Sequence, residues 1–194
     1  MIADCQRVAA DAATLLTSRP PLLGGGRLVC VDGRSGSGKT TLAAKLACTL
    51  RERRLIVREL AIESAYAGWD GLLGTPAHVA GSLLAPLTSG HDGTVRTYDW
   101  RAAHFIADRP IEPLVDDEIL VIEGVGSGTA PMRAYASLVV WCEAPEPLRR
   151  QRATTRDGDD GWWQGWAAQE DALFRDDPVC ERADLVWRSD TETA

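Results

Sequence analysis

The sequence predicts an α/β fold, a five-stranded parallel sheet flanked by helices. Short apolar runs of strand length alternate with stretches whose apolar residues recur at helical spacing, the pattern of a parallel sheet covered on both faces. The first run leads straight into a glycine-rich loop and then a helical stretch. With 194 residues the chain is long enough for one domain with a substantial core and short for two, and no repeat or low-complexity linker divides it.

In chain order, Ile2, Cys5, Val8, Ala9, Ala12, Leu15 and Leu16 recur at helical spacing, so a helix is expected before the break at Pro20, Pro21 and Gly24 to Gly26. Leu28 to Asp32 is the first strand. After the glycine-rich loop, Leu42, Leu46 and Leu50 stand on one helical face, and the largely apolar run Leu55 to Leu60 follows as the second strand. The segment from about Gly71 to Pro113 is richer in Gly, Pro and His and less periodic. It is expected to carry the substrate-side elements, in a region spanning about 63–113. Ile119 to Ile122, Ser137 to Cys142 and Leu185 to Trp187 complete the five strands, with ligands expected at their carboxyl ends.

The loop Gly33 to Thr41 reads GRSGSGKTT, the P-loop pattern G-x-x-x-x-G-K-[ST]. Phosphate oxygens must meet bare backbone N–H groups, so Gly33, Gly36 and Gly38 permit an approach that side chains would block, with Ser35 and Ser37 between them. Lys39 adds a cation, Thr40 a hydroxyl for magnesium, and Thr41 continues a helix whose positive end faces the same phosphates. The expected ligands are ATP and magnesium. A glycine-rich turn without a ligand is the bland alternative.

Just after the second strand the chain reads Glu63, Ser64, Ala65, Tyr66. A carboxylate there can meet a substrate hydroxyl facing the ATP phosphates, accept its proton and sit beside magnesium. A solvated or helix-capping glutamate fits the position as well. Glu123 follows the run ILVI and precedes GVGSG, the place of the Walker B acid that holds magnesium directly or through water. A plain strand exit, with the glycines providing the turn, is its alternative. In the basic segment between Pro145 and Asp157, the spacing puts Arg149, Arg152 and Arg156 on one helical face. Such a helix can close over a triphosphate as a lid, here about 145–160, and neutralise charge on the transferred group. It also fits a solvated basic helix paired with Asp157 to Asp160.

Of the seven tryptophans, Trp162 and Trp166 share a helical face with Leu173 and read as core packing rather than a ligand platform. Trp69 and Trp100 lie in or beside the irregular region, next to Asp70 and Asp99, and are candidates to wall a pocket. His78, His91 and His104 show no metal-ligand spacing. His104, after Tyr98, Asp99 and Trp100, is a candidate to hydrogen-bond a substrate.

The formal charge of -7 and the lack of Lys and Arg runs argue against a general nucleic-acid or membrane surface and for a small-molecule partner, with the oligomeric state left open. Five scattered cysteines without a C-x-x-C pair, two of them inside apolar strand-like runs, read as buried free thiols in a reducing cytosol. No apolar stretch approaches the roughly 20 residues of a membrane helix, and the N-terminus lacks signal-peptide order, so a soluble cytoplasmic protein is expected.

Together, DGRSGSGKTTLA at Asp32 to Ala43, ESAY at Glu63 to Tyr66, YDW at Tyr98 to Trp100, VIEG at Val121 to Gly124 and the arginine-rich segment resemble the uridine kinase family of P-loop kinases over most of the chain. The resemblance implies an adenylate-kinase-like P-loop NTPase fold with a lid, and transfer of phosphate from ATP with magnesium to the 5'-hydroxyl of uridine or cytidine. It implies that Glu63 stands where the family's D-S-F-Y segment has its catalytic acid, with Tyr66 closing the segment. By the same resemblance Thr40 and Glu123 attend magnesium, Tyr98 and His104 approach the base, Asp70 binds ribose hydroxyls, and Arg149, Arg152 and Arg156 form the lid. The family pattern Y-D-F-x-x-H-x-R differs here: Trp100 replaces the Phe, His104 follows Tyr98 one residue later, and Phe105 and Ile106 occupy the neighbourhood of the missing arginine. An ATP-binding regulator or scaffold is the competing reading. A GTPase switch is disfavoured because no N-K-x-D motif occurs.

Overall fold

The structure, a computed structural model, describes residues 2–189. Helix α1 (Ile2–Thr17) is followed by β1 (Arg27–Gly33), α2 (Lys39–Glu52) and β2 (Val57–Ala61). Helix α3 (Thr75–Val79) continues through a π turn, Ala80–Leu84, into α4 (Ala85–Thr88). An antiparallel hairpin, β3 (Gly93–Asp99) and β4 (His104–Ile111), precedes β5 (Ile119–Glu123). The rest is α5 (Ala130–Arg133), β6 (Leu138–Glu143), α6 (Glu146–Asp157), α7 (Trp163–Asp176), α8 (Val179–Arg182) and β7 (Leu185–Arg188).

Five strands form one parallel sheet in the order β2-β5-β1-β6-β7. Side chains alternate between its faces. Val29, Val31, Val121 and Val140 join Ala9, Ala12 and Leu16 of α1 and Leu42, Leu46 and Leu50 of α2 in one core. Leu28, Cys30, Ile122 and Trp141 join Leu83, Leu87, Trp166 and Phe174 in the other. The central strands β1, β5 and β6 are buried on both faces and read as unbroken apolar runs, while the edge strands β2 and β7 are half-exposed; all five expected strands are present with ends shifted by only a residue or two. The thiols of Cys5, Cys30 and Cys142 are free and buried as expected, whereas those of Cys48 and Cys180 are free but exposed, because they lie on the outward faces of α2 and α8. No helix among the described residues is long and apolar enough to cross a membrane.

The segment expected to be irregular carries α3, α4 and the hairpin. Six of the eight residues of β4 are exposed, so no apolar alternation marks it as a strand. Asp99 Oδ1 closes the hairpin turn by accepting the N–H groups of Arg101 (2.9 Å) and Ala102 (2.8 Å).

Because β1 lies between β5 and β6, the loops after β1 and β5 leave the sheet side by side. Asp32 joins them. Its fully buried carboxylate accepts the N–H groups of Gly33 (2.6 Å), Gly126 (2.8 Å) and Gly128 (2.8 Å). Burial pushes the carboxyl up to about 6 against the opposing pull of those three donors. Removing the acceptor strands three buried donors at about 1–3 kcal/mol each, partly offset by no longer burying a charge. Asp32→Ala is therefore expected to destabilise the protein by about 3 kcal/mol, read as a lower urea midpoint at unchanged slope. An unchanged midpoint would remove Asp32 as the joint between the loops.

Candidate active site

The loop after β1 is built to turn its carbonyls into the protein. Ser35 O accepts from Arg149 Nη1 (3.2 Å), Gly36 O from Arg152 Nη1 (3.3 Å) and Ser37 O from Ser189 Oγ (2.8 Å). Arg34 O accepts from Lys39 Nζ (3.1 Å) and from the Ser37 N–H (3.1 Å). Gly36, at φ 77°, packs so close to the α6 backbone that a Cβ would collide with the Arg149 carbonyl. Gly38, at φ 96°, occupies the N-cap position of α2 without a side-chain cap. The N–H groups of Lys39, Thr40 and Thr41 thus have no partner within the helix, which is what an anion cradle requires.

Glu170 ties this loop to the rest of the site. It is 1% exposed, and its Oε1 accepts both the Ser35 N–H (2.7 Å) and Trp166 Nε1 (2.9 Å). Its other oxygen faces Arg34 at 3.6 Å and Arg149 at 3.8 Å.

At the start of α2, Thr40 Oγ1 donates to Glu123 Oε1 at 3.2 Å. Burial raises the Glu123 carboxyl, Lys39 and the Thr40 hydroxyl oppose that rise, and the nearby negative charge of Glu63 adds to it. Glu63 sits in a short 3-10 turn, Ile62–Ala65, directly after β2. The buried Tyr66 pins that turn to the loop after β5 by donating its hydroxyl to Val125 O (2.8 Å). The two carboxylates of the site, one in the turn after β2 and one at the end of β5, are thereby carried on mutually anchored segments.

Two pockets open here. One is lined by Ser35, Lys39, Thr40, Glu63, Tyr66, Glu123, Gly124, Val125 and Arg156, with Trp69, Trp100, Trp162 and Trp166 as its aromatic wall. The other is lined by Gly36, Gly38, Lys39, Thr40, Thr41, Arg152, Ala153 and Arg156. They share Lys39, Thr40 and Arg156.

The structure therefore brings together Gly36, Gly38, Lys39, Thr40, Thr41, Glu63, Tyr66, Glu123, Arg152 and Arg156 around the two pockets, with Ser35 on the rim of the first. Gly33 and Ser37 support the loop from within, Ser37 with its side chain buried. The three arginines expected to form a lid divide. Arg149 is 8% exposed and braces the P-loop from behind, so it lines neither pocket, contrary to expectation. Arg152 holds the Gly36 carbonyl and borders the second pocket, and Arg156 borders both while pairing with Asp157 at 2.6 Å. The exposed pair Arg150–Asp160 (2.7 Å) matches the solvated-helix reading.

The expected substrate residues converge less. Asp70 is exposed, Asp99 is spent on its own turn, and His104 is exposed with Nδ1 3.1 Å from Ala102 O. Tyr98 packs edge-on against Trp100 (5.7 Å) and Phe105 (5.1 Å). None of these four lines the aromatic pocket, whereas Trp100 does. Trp162 and Trp166, expected as core alone, are also pocket walls: the helical face that packs on the core ends at the cleft. Asp32 and Glu170 were not singled out from the sequence. A charged residue directly closing an apolar run at Asp32, and one four residues beyond Trp166 on its buried face, are the signals that mark them.

No model of a known protein family matches the chain, and no curated protein matches it. Solved structures do. A possible uridine kinase from Bacillus stearothermophilus matches with TM-score 0.67 and 24% identity, covering 93% of this chain and 98% of that one. A fructose transport system kinase, so described provisionally, from Silicibacter sp. TM1040 matches with TM-score 0.61 and 19% identity over 92% and 98% of the two chains. D-glycerate 3-kinase from Cryptococcus neoformans matches with TM-score 0.51 and 13% identity over 91% and 87%. The chain thus has the P-loop kinase fold, and the structures it resembles are uridine kinase-like and related P-loop kinases. At these identities the likeness establishes the fold.

Proposed function

We propose that this chain is an ATP-dependent phosphotransferase acting on a hydroxyl of a small molecule, with a uridine- or cytidine-like nucleoside as acceptor, and that it works in the cytoplasm. The observation that carries this reading is the junction of the two pockets at Lys39, Thr40 and Arg156. A donor on the P-loop side and an acceptor on the aromatic side would meet at a cation, a hydroxyl and a guanidinium. That is the arrangement in-line phosphoryl transfer needs. The names of the neighbouring structures, which include uridine and glycerate kinases, support a small-molecule acceptor.

In this mechanism Lys39 and the first-turn N–H groups of α2 hold the phosphates. Thr40 and Glu123, with Glu63 beside them, are the hard oxygen donors that would hold magnesium, an ion bound by one or two carboxylates alongside phosphates and waters. When bound it neutralises charge on the phosphate oxygens. Glu63 accepts the proton of the attacking hydroxyl from the acceptor side, and Arg156 offers positive charge between the pockets. Magnesium-dependent ADP formation across a panel of nucleosides and small alcohols tests the reading. Turnover with uridine or cytidine is expected. ATP binding without turnover on any acceptor would replace the enzyme by an ATP-binding regulator.

A further inference from the structure

The aromatic pocket is small, with a cavity volume of about 50 Å3, whereas small-molecule sites start near about 300 Å3. The face of Trp162 that a flat ligand could stack on is already taken by Trp69. The Trp69 ring lies parallel on Trp162, with centroids 4.6 Å and planes 12° apart, and meets Trp100 and Trp166 edge-on at 4.9 and 5.9 Å. A planar ligand ring stacking on Trp162 would adopt the same geometry.

Two observations separate Trp69 from the other walls. It is 43% exposed where Trp166 is 4% exposed, and it sits in a three-residue turn between Gly68, at φ 69°, and Gly71. Its carbonyl is held by Gln169 Nε2 at 2.6 Å, so the backbone is anchored and the side-chain torsions are what can change.

Building on the reading that this pocket takes the phosphate acceptor, we propose that Trp69 is a displaceable plug that sets acceptor specificity. The acceptor carries a flat heteroaromatic ring that displaces Trp69 from Trp162 and stacks in its place. Alcohols without a ring have no stacking with which to displace it.

The test measures calorimetric binding and ADP formation with uridine, cytidine, ribose and glycerol for the wild type, Trp69→Ala, Trp69→Leu and Trp162→Ala, with melting curves to verify folding. Both Trp69 variants are expected to tighten nucleoside binding by about 3- to 10-fold, the worth of one released aromatic stack. Trp162→Ala is expected to weaken it by about 10-fold. Opposite signs are the signature, since a purely structural role for Trp69 weakens binding in all three. Weakening by the Trp69 variants, ribose binding as tightly as uridine, or no nucleoside binding to Trp69→Ala would each overturn the plug. ADP formation with ringless alcohols alone leaves the kinase standing and removes the plug. Nucleoside binding with the opposite shifts but no ADP keeps the plug and removes the kinase.

Discussion

Lys39→Ala is expected to lower phosphotransfer by about 10³-fold while the protein keeps its fold. The size follows from position. Lys39 opens α2, borders both pockets and is held by the Arg34 carbonyl at 3.1 Å, so its charge is already aimed before a substrate arrives. Losing one such preorganised donor to a transition state costs about 10²–10³ in turnover, and Lys39 carries a full charge rather than a dipole. The fold should survive because the loop does not hang on this residue: Arg149, Arg152 and Ser189 hold three of its carbonyls and Glu170 one of its amides. Magnesium-dependent ADP formation checked against an unchanged melting curve is the measurement. Turnover within tenfold of the wild type would mean that the transferred phosphate is not held at Lys39. Lys39→Arg should rescue little, since a planar fork does not replace a compact ammonium in a cradle shaped by Gly36 and Gly38.

The sheet and the glycine-rich loop were legible because local rules write them. A strand buried on both faces is an apolar run, and a loop that must turn through positive φ beside a helix start is a run of glycines ending in Lys39 and Thr40. The pairing of Thr40 with Glu123 also followed, since both sit at element ends that a parallel sheet gathers on one edge. The aromatic pocket was not legible in this way. Its walls come from Trp69 and Trp100 on one side and Trp162 and Trp166 on the other, segments whose meeting depends on tertiary packing. Periodicity identified the face of α7 carrying Trp166 but not that the same face borders a cleft. Asp99 and Arg149 mislead for a related reason. Residue type suited each to a substrate, but the nearest unpaired groups were the hairpin's own N–H groups for Asp99 and the carbonyls of Ser35 and Ala144 for Arg149. Asp32 and Glu170 act by accepting N–H groups from segments far along the chain, a relation that no spacing encodes.

Glu63→Gln separates the two roles the site offers this carboxylate. The substitution keeps the size and one acceptor oxygen while removing charge and basicity, so the turn pinned by Tyr66 stays in place. A general base contributes about 10²–10⁴ in rate, so kcat should fall by about that factor with little change in acceptor KM. If Glu63 acts as the base alone, the magnesium concentration for half-maximal rate stays where it was. If it also helps hold the ion beside Thr40 and Glu123, that concentration rises in Glu63→Gln as it does in Glu123→Gln. Glu63→Asp withdraws the carboxylate by about 1.5 Å, one carbon–carbon bond, and should recover part of the rate, since the charge remains and only its reach changes. A kcat unaffected by Glu63→Gln would take the residue out of the mechanism. Lys39, Thr40 and Arg156 would then be left to act on a hydroxyl that needs no base, as a largely dissociative transfer permits.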